Sequence, residues 1–60
     1  MTFEEARQLH NGDEISCDGE IGKVLKTWVD TLEESGDKVV VIEAVFQKTG
    51  WGTVRHTDVD

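Results

Sequence analysis

The sequence has no proline and no tyrosine, one cysteine, and only six basic residues against thirteen acidic ones. Each scarcity closes a route. With Cys17 as the sole cysteine, a disulfide within the chain is excluded, and no Cys/His grouping has the spacing of a structural zinc site. A single free thiol suits a reducing compartment. The net charge of −7 and the scattered bases argue against nucleic acid as a partner, because phosphate-backbone affinity comes from Lys and Arg displacing counterions. The carboxylates do not form the regular array that mimicry of nucleic acid would want. An acidic surface still keeps a small protein soluble and attracts basic partners. No apolar run reaches the roughly 18 residues that span a membrane, and no basic-then-apolar signal segment opens the chain. The expectation is a cytoplasmic protein without a membrane partner.

Sixty residues make one domain. A chain this short buries only about 60% of the surface its unfolded form exposes and usually needs a staple. Since neither a disulfide nor a metal is on offer, self-association is the remaining one, and a homo-oligomer is expected.

What the chain does have is a dense apolar run, Lys38 to Phe46, rich in β-branched residues. It reads as the central strand, about 38–47. Val40, Ile42, Ala44 and Phe46 line one face; Val39, Val41 and Val45 line the other, broken only by Glu43. Both faces ask for cover, so the strand lies centrally in a curled sheet or lends its second face to another chain.

Around it the elements follow in order. Thr2 and Glu5 form a capping box for a helix over 2–10, ended by Asn11-Gly12. A strand over 13–17 turns Ile15 and Cys17 inward, and Asp18-Gly19 makes a two-residue hairpin turn into a second strand over 20–29. Gly22 marks a bulge there, with Ile21, Val24 and either Trp28 or Val29 inward. Asp30 to Asp37 reads as an acidic loop with Leu32 as its apolar anchor. After a turn at 47–50 comes a strand over 51–55, a tight helical turn at His56-Thr57-Asp58 and a last edge segment, 58–60. Val54 and Val59 are the expected buried ends.

The run Leu9, Gly12, Asp13, Ile15 matches "Leu-x-x-Gly-Asp-x-Ile", and Gly19 to Val24 is similar to the KOW motif of ribosomal and transcription-elongation proteins. With the long central strand and the closing Trp51 to Val59, the chain resembles the Src-homology-3-like small barrels, in particular bacterial and phage versions. The resemblance implies a mainly β fold, a five-stranded barrel with a short N-terminal helix. The KOW-type relatives bind RNA through basic loops, whereas here those loops carry Asp18, Glu20, Asp30, Glu33, Glu34 and Asp37. The absent tyrosines remove the aromatic groove that other relatives use for polyproline helices.

Few side chains offer chemistry. His56 with Asp58, and His10, are the groups suited to acid-base work near neutrality, and His56-Thr57-Asp58 reads first as a turn satisfying local backbone groups. Cys17 reads as a small buried hydrophobe, and no cofactor or metal is expected. Trp51, Thr53 and Arg55 share one face of a strand. With Trp28 they suit stacking and anion clamping, or else serve as core or subunit interface. The residues expected to bind a ligand or partner are Trp51, Arg55, His56 and Trp28. The leading functional expectation is a non-enzymatic module that self-associates and binds a protein partner, an accessory or phage-type factor. The alternatives are an oligomeric binder sequestering an anionic or nucleotide-like molecule, and a small oligomeric enzyme using His56.

Overall fold

The computed structural model covers residues 1–60. Its elements are a helix α1 (Phe3–Arg7), strands β1 (Glu14–Cys17), β2 (Glu20–Thr31), β3 (Lys38–Phe46) and β4 (Gly50–Arg55), and a 3-10 turn (His56–Asp58). The strands pair antiparallel in the order β1-β2-β3-β4, a mainly β half-barrel that curls around its core.

The apolar run is the central strand and its even-numbered face is the core. Val40, Ile42, Ala44 and Phe46 are buried, joined by Ala6 from the helix, Ile15, Val24 and Val59. Met1, Phe3, Leu9, Cys17 and Val54 pack at its margin. Burial of this cluster is the main stabilising term, since a fully buried Val, Ile or Phe contributes about 1.5–3 kcal/mol.

The capping box forms as expected: the Thr2 hydroxyl accepts from the Glu5 N–H, and the Glu5 carboxylate accepts from the Thr2 N–H. The helix nevertheless stops at Arg7, short of His10. Its continuation is claimed by other partners. The His10 N–H donates to the Asp13 carboxylate, the Gly12 N–H to the Val24 carbonyl, and the Val24 N–H to the Asp13 carbonyl. Gly12 sits at φ +97, where a residue without Cβ is favoured.

Asp18 (φ 52) and Gly19 (φ 76) both occupy the left-handed region, the geometry of a type I′ turn between β1 and β2. The irregularity in β2 falls at Leu25 and not at Gly22: Val24 pairs with Ala44, and Lys26 pairs with Glu43. The Asn11 side chain donates to the freed Leu25 carbonyl at 3.0 Å. Gly22 has a different use. A Cβ there would lie 2.6 Å from the Phe46 ring, so glycine is what lets that ring lie on the β2 backbone. Register before the bulge therefore puts Gly22 and Val24 inward and Ile21, 43% exposed, outward, correcting the inward assignment of Ile21. Trp28 and Val29 are both exposed, because the β2–β3 hairpin runs on past the core. It pairs out to Thr31 and Lys38, so Asp30 and Thr31 are strand, not loop.

The fifth strand is absent. Residues 59–60 form no strand, though the Asp60 N–H donates to the Ser16 carbonyl and the Cys17 thiol to the Asp58 carbonyl. The 3-10 turn aims the chain so that a single backbone bond, not a ladder, joins it to β1. No helix is long and apolar enough to cross a membrane.

Candidate functional site: the outer face of the sheet

Strand alternation that sends the even residues of β3 into the core sends Val41, Glu43 and Val45 to the opposite, outer face. Pairing sets three rows across it. Trp28, Val41 and Arg55 lie side by side, then Lys26, Glu43 and Thr53, then Lys23, Val45 and Trp51. Nothing in the chain covers the large apolar groups there: Trp51 is 66% exposed, Val45 45% and Trp28 39%. The Lys26 ammonium sits 5.5 Å from the Trp28 ring centroid, a cation–π contact that holds the indole on the surface.

Arg55 is the polar member of this face. Its guanidinium makes no hydrogen bond and no ion pair within the chain, whose only ion pairs within 4 Å are Arg7–Glu4 and His10–Asp13. Beside it lies a hollow of about 350 Å³ bordered by Leu32, Val39, Val41, Thr53 and Val54 and by the carboxylates of Asp30 and Asp58. A second hollow runs from Arg55 to Glu33 and Glu34 at the hairpin tip. Trp51 and Arg55 share a face of β4 but are four residues apart, about 13 Å along the strand, so they do not stack on each other.

The structure thus brings Trp28 and Arg55 into one row, adds Trp51 at the far corner of the same face, and sets His56 elsewhere. His56 is buried, 8% exposed; its Nδ1 accepts the Val40 N–H at 3.1 Å, and its ring meets Phe3 edge-on at 5.7 Å. This ring is part of the packing beneath the sheet, not of the outer face. Residues of this side that sequence reasoning missed are Ile21 and Lys26, because their facing depends on the β2 register and its bulge between Val24 and Lys26.

Charge is unevenly spread. The outer face carries Lys23, Lys26 and Arg55 against Glu14, Asp30 and Glu43, so the whole excess of acids lies elsewhere. Strand β4 is the one strand without a carboxylate. Away from this face, Cys17 is hemmed in: burial, then Asp18, Asp58, Asp60 and Glu20, push its thiol pKa up and keep it protonated. No group of three or more His, Cys, Asp or Glu side chains is placed to hold a metal ion. No protein-family model, curated protein or solved structure matches this chain.

Proposed function

We propose that the chain is a non-enzymatic binding module of the Src-homology-3-like small-barrel type, which self-associates and engages a protein partner through the outer face of its sheet. The observation that carries this reading is the exposure of Trp28 and Trp51 on one face with the uncommitted guanidinium of Arg55. Trp and Arg are the residues that most often supply the dominant contacts of protein interfaces, and a large apolar area left open on so small a chain marks an interaction surface. The balanced charge of that face lets it dock without bringing the acidic remainder into contact. The acidic remainder favours a partner that is basic around the contact and speeds encounter with it. An accessory role, such as that of a phage-encoded factor occupying a host protein, suits a module with this one surface.

The test is recovery of a complex from the source cell's lysate by the wild-type chain and by Trp28→Ala, Trp51→Ala and Arg55→Ala, all on exposed positions. A protein recovered with the wild type and lost with the variants, while their circular dichroism is unchanged, supports the reading. Equal recovery by all four chains would overturn it.

A second reading rests on the hollow beside Arg55. Its apolar wall of Leu32, Val39 and Val41 suits a flat apolar body and its guanidinium an anionic group, with the Asp30 and Asp58 carboxylates on the same lining opposing that charge. An Arg55→Ala variant whose melting temperature responds to anionic or nucleotide ligands as the wild type does would remove it.

A further inference from the structure

The two edges of the sheet are not alike. Strand β1 is covered along its free side by the C-terminal segment, through Asp60 N–H to the Ser16 carbonyl, Ser16 hydroxyl to the Asp60 carboxylate, and Cys17 thiol to the Asp58 carbonyl. Strand β4 is terminal in the sheet and has no strand beyond it. It also lacks most of the devices that usually blunt an edge: it has no proline, no lysine, no inward charge and no bulge, and Arg55 at its end is its one charged residue. Its glycines leave it slim, since a Cβ on Gly50 or Gly52 would meet nothing within 4 Å.

We propose that β4 pairs antiparallel with β4 of a second copy, joining two half-barrels into one continuous eight-stranded sheet. The inference rests on the self-association in the functional reading above and names its contact. Two arguments select a second copy as the occupant. The first is charge: each copy carries −7, and β4, with Arg55 as its only charged residue, is the only strand along which two copies meet without opposing carboxylates. The second is register. Directly opposed residues in an antiparallel pair share a face, so a twofold axis at Thr53 sets Thr53 against Thr53 and Trp51 against the second copy's Arg55, twice by symmetry. Gly52 then opposes Val54 on the inner face, small against large. The guanidinium and indole that stand about 13 Å apart within one chain thereby become cross-strand neighbours between chains, a geometry suited to cation–π contact. Residues 51–55 each find a complementary one within the strand, and Gly50 lies beyond the paired segment. The outer faces of the two copies merge, placing both Trp28 side chains and both Trp51 side chains on one platform for the partner.

One charge variant and one cross-linking comparison test this. Thr53→Lys sets like charges directly opposite at the axis, and the dimer measured by sedimentation velocity is expected to weaken by about tenfold or more, with unchanged circular dichroism. Thr53→Cys, in a Cys17→Ser background, is expected to form a disulfide-linked dimer several-fold faster under oxidised glutathione than Lys48→Cys, a control in the exposed turn before β4. A wild-type chain that stays monomeric throughout the micromolar range overturns both this contact and the self-association it rests on. A dimer indifferent to Thr53→Lys, whose Thr53→Cys form cross-links no faster than the control, overturns the β4 contact alone.

Discussion

The backbone N–H of Val40 donates to Nδ1 of His56 across 3.1 Å, in a buried contact spanning 16 residues. An imidazole nitrogen accepts only when it carries no proton, so this bond also sets the tautomer, with the proton on Nε2. Deleting the ring orphans a buried donor on the central strand and leaves a void against Phe3. His56→Ala is expected to cost about 2–4 kcal/mol in urea unfolding, and His56→Asn, whose side-chain oxygen can take the Val40 N–H, distinctly less. Equal losses in the two variants would show that the bond contributes nothing beyond volume.

Glycine at two strand positions does two different things. Gly22→Ala drives a Cβ into the Phe46 ring at 2.6 Å and is expected to cost about 1–3 kcal/mol. Gly52→Ala meets nothing, and its effect on monomer stability is expected within about 0.5 kcal/mol of zero. Thermal melts of both at low concentration check the contrast.

Much of this fold was legible in the sequence and part of it was not. The β-branched run, the Thr2–Glu5 box and the Asp18-Gly19 turn are local signals, and each forms. Register across β2 is not local: whether Ile21 or Gly22 points inward depends on where the bulge falls, and Leu25 carries no mark that the sequence alone displays. Alternation placed Trp51 and Arg55 on one face of their strand, whereas the facing of Trp28 stayed open because it lies beyond the bulge. The burial of His56 was not legible, because the acceptor role of its ring is set by β3, far away in the chain. The fifth strand was expected from resemblance, and the geometry of the 3-10 turn leaves only one backbone bond in its place.

Glu20 makes stability depend on acidity. Its carboxylate accepts from the Thr49 N–H, the Lys48 N–H and the Thr49 hydroxyl, at 2.8, 2.7 and 3.1 Å, and so ties the 47–50 turn to β2. These bonds, the one from the Thr49 backbone foremost, hold its pKa below the ordinary value. A folded-state pKa below the unfolded one means stabilisation that is full above the unfolded value, about 4.3, and lost as pH falls through the folded one. Glu5 is lowered in the same way by Thr2 and adds to the trend. The melting-temperature gap between wild type and Glu20→Gln is expected to be widest near neutrality and to close below about pH 4. A gap that does not change with pH would contradict the ionic character of this tie.

Cys17 should be slow to alkylate. With its thiol pKa pushed up by burial and the neighbouring acids, the native chain is expected to react with iodoacetamide near pH 8 many-fold more slowly than the urea-unfolded chain. Matching rates would show that the thiol is freely ionised and open.

The most direct test of the binding account is amide hydrogen exchange of the unaltered chain at a low and a high micromolar concentration. The account predicts that amides of Gly50–Arg55 on the open side of β4 slow as concentration rises, while those of Glu14–Cys17 at the covered edge do not change. Exchange in β4 that is identical at both concentrations would contradict it.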